Sequence, residues 1–170
     1  APKPEDECAF FYPCETGGDI DTIEDDNEIY ERLILQLYAA WDRVKNVTHV
    51  EAARNWEMVW ISARVAKRES RRFVGDYTLT QTDIEQGAMQ EDALAVGGYP
   101  LDVHNPRPEN NEYIRIEWYS LPPVYGIPYR CMYSANIDNL FFASRLLSVS
   151  HLAHSSVRMQ RTLAAVGMAV

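Results

Sequence analysis

The sequence predicts an α+β fold in which helices flank a β-rich region. Apolar residues recur at helical spacing between residues 27 and 46, a pattern typical of an amphipathic helix. Stretches rich in β-branched and aromatic residues follow between residues 56 and 143, which indicates strands. Small apolar residues recur from Ser155 onward, and we expect a further helix there.

The first predicted helix begins at Asp26 or Asn27, because either side chain can accept the free backbone N–H groups of a first turn. It ends near Lys45, where a cation meets the negative end of the helix dipole. Its apolar face consists of Ile29, Leu33, Leu37, Trp41 and Val44. The preceding residues 1–28 are rich in proline, glycine and acidic residues, which favours a loop.

Four segments are predicted to be strands because they combine β-forming residues with partial alternation. They are residues 56–62, 71–79, 113–119 and 139–143. We expect residues 124–133 to return beside the third segment. A helix start is predicted at Thr80 or Thr82, because Asp83 and Glu85 follow at capping distance.

The net charge of −9 excludes nucleic acid and anionic membranes as partners, since both require a basic surface. No apolar run approaches the roughly 20 residues of a transmembrane helix. We therefore expect a soluble protein that binds small molecules or proteins. Cys8, Cys14 and Cys131 form no C-x-x-C motif, and the first two could be bridged or could be small buried groups.

Four blocks occur in a familiar order: KRESRRFVGDY at 67–77, GGYPLDVH at 97–104, GIPYR at 126–130, and a closing block at 137–167 that begins IDNLFFASR. Together they resemble a family of bacterial FAD-dependent oxidoreductases. The resemblance implies a glutathione-reductase-like flavoprotein. In such a protein a Rossmann domain holds FAD, and a β-rich domain covers the isoalloxazine ring and shapes the substrate site.

By this resemblance, residues 1–136 form the substrate or lid region, and residues 137–170 are the closing piece of the FAD-binding domain. The phosphate-binding motif G-x-G-x-x-G is missing from the 170 residues, so we expect a fragment that is inactive alone. Exposed apolar surface on its last helix would favour self-association.

The resemblance also implies which residues contact FAD. The closing block is expected to fold as strand, polar bend and helix, offering backbone N–H groups to the anionic cofactor. The expected cofactor-binding residues are Arg68, Arg71, Ser144, Arg145, His151, Ser156, Arg158 and Gly167. The family pattern has glycine where this chain has Ser144 and Ser155, glutamate at Leu152 and proline at Arg161.

The expected substrate-binding residues are Tyr99, Asp102, Tyr129 and Arg130. His104 is the candidate catalytic residue, because a histidine that titrates near neutral pH can accept a proton. Each has a simpler alternative: a solvated histidine, a packed aromatic ring, or arginines in surface salt bridges. His151 and His154 lie three residues apart, but no third ligand follows at suitable spacing, so no metal is expected.

These observations predict an FAD-dependent oxidoreductase that transfers hydride from a small, hydroxylated substrate to flavin. The alternative is a non-enzymatic binding or assembly module that kept the fold and lost the cofactor. A carbohydrate-binding surface built from the many tyrosines and tryptophans is a second alternative.

Overall fold

The computed structural model describes residues 20–67, 69–103, 117–118 and 122–170. The chain divides into two units, Ala1–Arg68 and Glu69–Val170. The predicted residues Arg68 and His104 lie outside the described residues, as do most of the predicted strand at 113–119 and the first two cysteines.

The first unit is built on helix α1, Asp26–Arg43, which continues as a π-helical turn, Val44–Thr48. The predicted helix is confirmed, although Asp25 is its N-cap and makes no side-chain capping bond. Of the predicted apolar face, Ile29 and Val44 are buried and the others are half-buried.

The predicted strand at residues 56–62 is wrong: this described segment is irregular. The Lys45 ammonium group instead donates to the carbonyl oxygens of Ala53 at 2.9 Å and Trp56 at 2.7 Å. It also lies 5.8 Å from the centre of the Trp41 ring. A strand needs a neighbour for its backbone groups, whereas here the Trp56 carbonyl is bound by a lysine.

The second unit contains two antiparallel pairs of strands. β1, Ala93–Gly97, pairs with β4, Tyr125–Pro128, with Ala95 opposite Ile127 and Gly97 opposite Tyr125. β2, Asp102–Val103, pairs with β3, Glu117–Trp118. The helices and small antiparallel sheets are consistent with the predicted α+β class.

The described strands differ from the predicted ones in two details. Tyr125–Pro128 pairs with β1, a strand that was not predicted, and most of its predicted partner at 113–119 lies outside the described residues. The predicted strands at 71–79 and 139–143 are reduced to isolated bridges, Leu79 with Val149 and Tyr133 with Phe141. Periodicity indicates which residues favour an extended backbone, but the choice of partner depends on distant sequence.

Helix α2, Gln81–Gln86, begins as predicted: Thr80 and Asp83 form a reciprocal capping box, and Gly87 ends the helix at φ 62°. The single helix predicted from Ser155 is instead two helices, α3, His151–Val157, and α4, Gln160–Ala169. A 3₁₀ turn, Tyr129–Cys131, follows β4. The largest buried side chains of this unit include Leu79, Ile84, Tyr125, Ile127, Met132, Phe142, Leu147, Val157 and Val166.

Candidate functional site

The bend before α3 is packed into the core. Residues 147–149 are buried. The Ser148 backbone N–H donates to the Cys131 carbonyl at 3.1 Å, and the Ser150 N–H donates to the Leu79 carbonyl at 2.8 Å. These two amides therefore do not face an anion, and the prediction of an open, amide-lined bend is wrong at these positions.

Buried hydroxyl groups connect α3 to the sheet. Ser156 Oγ donates to the Tyr99 carbonyl oxygen at 2.5 Å and lies 2.7 Å from the Tyr125 hydroxyl. Because the serine has one proton, Tyr125 must be the donor in the second bond. Ser156 and Tyr125 are both fully buried, and burial raises the pKa of Tyr125. We use the name hydroxyl chain for the linked Tyr125 hydroxyl, Ser156 hydroxyl and Tyr99 backbone carbonyl.

An ion pair lies at the other end of α3. Arg158 Nη2 donates to Asp102 Oδ2 at 2.8 Å, and the two side chains are 13% and 11% exposed. Asp102 belongs to β2, so this pair fastens the short second sheet to α3. The structure thus brings together two residues predicted to bind substrate, Tyr99 and Asp102, and two predicted to bind the cofactor, Ser156 and Arg158.

Ionisable side chains gather at the start of α3 in a group that we call the Glu69 cluster: Glu69, Arg72, His151 and His154. Glu69 Oε1 is paired with the Arg72 guanidinium. Its other oxygen, Oε2, lies 2.8 Å from His151 Nδ1 and 3.7 Å from His154 Nδ1. One carboxylate therefore faces both histidines of α3.

The two histidines of the Glu69 cluster differ in exposure and in pKa. His154 has a side chain only 4% exposed, and desolvation, with repulsion from Arg158 and Arg72, lowers its pKa to about 4. The His151 side chain is 61% exposed, and its pKa is also lowered, by partial burial and then by Arg72. Both imidazoles are therefore neutral near pH 7.

Arg130 has its own partners away from the Glu69 cluster. Its Nε donates to Asp92 Oδ2 at 2.9 Å, and its Nη2 donates to Asp92 Oδ1 at 3.1 Å and to Gln90 at 2.6 Å. Its guanidinium also lies 5.0 Å from the centre of the Tyr77 ring. The hydrogen bonds from Arg130 to the Asp92 carboxylate lower the pKa of Asp92. The neighbouring Tyr129 ring packs against Tyr133 and Phe141.

The remaining predicted residues lie at the surface. Arg71 and Arg145 are exposed, and Ser144 is half-buried, with its hydroxyl accepting the Leu146 N–H at 3.2 Å. A Cβ atom at Gly167 would come no closer than 4.0 Å to its nearest neighbour, the Ala143 carbonyl oxygen. The described surroundings of Gly167 therefore do not require glycine.

A dinucleotide cofactor would need free amides at the bend and small residues beside it. The bend amides at Ser148 and Ser150 are bonded internally. Ser155 is 7% exposed, and its hydroxyl donates to the Leu152 carbonyl at 2.6 Å. The described bend thus does not offer the amides of Ser148 and Ser150 to an anionic cofactor, which is the contact that the resemblance implies.

Sequence reasoning missed Glu69 and Tyr125 as partners of the predicted residues. Glu69 lies inside the first family block, whose expected cofactor contacts are Arg68 and Arg71. It contacts His151 across 82 positions of sequence, so periodicity contains no signal for it. Tyr125 precedes the third block and is opposite Gly97 in the sheet.

Comparison with known proteins adds one match. A protein-family model described as FAD dependent oxidoreductase matches residues 20–170. No curated protein and no solved structure matches the chain. In the described part of the chain, every helix is too short or too polar to cross a bilayer. Among the same residues, no group of three or more His, Cys, Asp or Glu side chains could hold a metal ion.

Proposed function

The chain belongs to the family of FAD dependent oxidoreductases, and on that premise we propose that it forms the substrate-side part of an enzyme that oxidises a small, hydroxylated molecule. FAD, on which the family depends, supplies the hydride acceptor when it is bound. The family match covers the second unit, which carries the residues of the candidate site. It supports an oxidoreductase over the carbohydrate-binding alternative.

One structural observation supports the location of the substrate-side site. Helix α3 gathers Tyr99, Asp102, Ser156 and Arg158 through the hydroxyl chain and the ion pair. These contacts hold the Tyr99 backbone and the Asp102 and Arg158 side chains in a fixed geometry, which orientation of a substrate requires. We propose that this end of α3 orients the substrate. The catalytic role of His104, two residues beyond Asp102 in the sequence, stays a prediction.

The packed bend favours a second candidate, a binding or assembly module that has lost the cofactor. The bonded amides at Ser148 and Ser150 remove the anion-binding feature that the cofactor hypothesis predicted. In this second function the same fold would be kept by its core alone.

Flavin binding separates the two candidates. The visible absorbance of oxidised flavin is measured on the purified 170-residue chain and on a version extended at both ends. We expect the extended protein to contain flavin, and we expect sugar-type alcohols to bleach its visible absorbance in the absence of oxygen. Flavin in neither protein, with added FAD giving no heat of binding, would favour the module.

A further inference from the structure

We propose that His151 is a proton-accepting catalytic residue and that Glu69 positions it. This inference rests on the proposed oxidation of a hydroxylated substrate, and it adds a role to the cofactor contact predicted for His151. The observation that carries it is the geometry of the Glu69 cluster, in which a held carboxylate faces an exposed imidazole.

The carboxylate selects one tautomer of the imidazole. Glu69 Oε2 lies 2.8 Å from His151 Nδ1, and a carboxylate only accepts hydrogen bonds, so Nδ1 carries the proton. The lone pair of the neutral ring is then on Nε2. Since 61% of the His151 side chain is exposed, a small molecule can reach that ring.

The Glu69 carboxylate is itself held in place. Its other oxygen is paired with Arg72, and 24% of the Glu69 side chain is exposed. A base oriented by a third, fixed group is the arrangement that general-base catalysis requires. Glu69 does not touch the substrate in this proposal and acts only through His151.

Exposure and distance to Glu69 favour proton uptake at His151 over His154. Partial burial and then repulsion from Arg72 lower the pKa of His151, so the imidazole is neutral at pH 7, as a base must be. His154 shares the carboxylate only at 3.7 Å, beyond hydrogen-bond range, and is 4% exposed. The ionisable groups that interact with His151 are Glu69, Arg72 and His154.

The proton balance of the step is simple. The O–H bond of the substrate hydroxyl breaks, its proton forms a bond to His151 Nε2, and the electron pair stays on the substrate oxygen as an alkoxide. The new imidazolium donates from Nδ1 to the Glu69 carboxylate, which stabilises the positive charge. Transfer of the proton back to solvent restores the neutral ring.

The first test measures the tautomer and the pKa of His151 by ¹⁵N nuclear magnetic resonance. We expect protonated Nδ1 in the wild type, and in Glu69→Gln a fall of about one unit in the pKa of His151, because an opposite charge within hydrogen-bond range is lost. Glu85→Gln is the matched control, since Glu85 is bonded to Gln81 on α2. A proton on Nε2, or equal pKa values in all three proteins, would overturn the proposal.

The second test uses diethyl pyrocarbonate, which acylates unprotonated imidazole, with the modified peptides quantified by mass spectrometry. At a pH above the pKa of His151, its imidazole should react about threefold more slowly in Glu69→Gln than in the wild type. This figure follows from a pKa lower by about one unit and a Brønsted slope of about 0.5, the value known for thiolates. Unchanged thermal unfolding of the variant would confirm that it folds. Equal reaction rates in the wild type and in Glu69→Gln contradict the role of Glu69.

These readouts need no flavin, so they stay readable if the proposed function fails. Conversely, if flavin is bound and is reduced by an alcohol at the same rate in His151→Gln, the oxidoreductase stands and the role of His151 is refuted. Loss of flavin reduction with flavin content retained is the supporting result.

Discussion

Removing the Ser156 hydroxyl should destabilise the second unit, because the Tyr125 hydroxyl and the Tyr99 carbonyl each lose their hydrogen bond to Ser156. Tyr125 is fully buried, so its orphaned hydroxyl costs about 2 kcal/mol. Tyr99 is half-buried, and water can reach its carbonyl in part, so that loss costs about 1 kcal/mol. We expect Ser156→Ala to lower the free energy of unfolding by about 3 kcal/mol, a large share of the stability of a small domain.

A double-mutant cycle separates the two losses. Tyr125→Phe alone removes one hydrogen bond and leaves Ser156 bonded to Tyr99, so it costs about 1 kcal/mol. In the double variant no tyrosine hydroxyl is orphaned. The double variant should therefore be about 1 kcal/mol more stable than Ser156→Ala, although it carries one more substitution.

The assay is urea unfolding followed by circular dichroism, with the slope m unchanged among variants. Ser155→Ala is the matched control on the same helix: its hydroxyl bonds the Leu152 carbonyl one turn earlier, an interaction of little net value. The reasoning is refuted if the losses of unfolding free energy in the two single variants add up to the loss in the double variant. It is also refuted if Ser156→Ala is as stable as Ser155→Ala. A role of Ser156 in cofactor contact alone would leave the stability of the flavin-free protein unchanged.

Three further changes have expected outcomes. Gly97→Ala places a Cβ atom 2.3 Å from the buried Tyr125 ring and should cost about 1–3 kcal/mol, whereas Gly98→Ala, with 3.9 Å to its nearest neighbour, should be nearly neutral in the same urea assay. The pKa of His154 falls from 6.5 to about 4 on folding, so the unfolded chain binds more protons and stability should decrease as pH drops from 6.5 to about 4. His154→Gln should reduce that slope in thermal melts, and the lowered pKa of His151 accounts for part of what remains; an unchanged slope would contradict this. The pKa of Asp92 is lowered from 3.8, so its ionised carboxylate stabilises the fold above that pH, and the stabilisation is lost as the pH falls below it. Asp92→Asn should lower the free energy of unfolding by up to about 1 kcal/mol at pH 7 and make unfolding less dependent on acid. An unchanged acid-unfolding transition would contradict this.

Local patterns predicted the elements that depend on neighbouring residues. Helix α1 follows from apolar residues at helical spacing, and the start of α2 follows from Thr80 and Asp83, which form the capping box. Both signals act over a few residues, within the reach of one helical turn. The family blocks likewise indicated His151, Ser156 and Arg158 as members of one region, and all three lie on or directly after α3.

The strands were predicted less well because pairing is non-local. Residues 56–62 have strand-forming side chains but form no strand, and β4 pairs with β1, a strand that was not predicted. A β-prone segment becomes a strand only when a second segment satisfies its backbone groups, and loop closure sets which segment is available.

The sequence alone therefore determined the α+β class, the first helix, the capping of the second and the family, since each depends on residue identities within short segments. Tertiary structure decided which of those residues meet. Glu69 reaches His151 across 82 positions, Asp102 reaches Arg158 across 56, and the bend amide of Ser150 is bound by Leu79. Hydrogen bonds and ion pairs of this kind form only after the core has brought distant segments together, so no local pattern contains them.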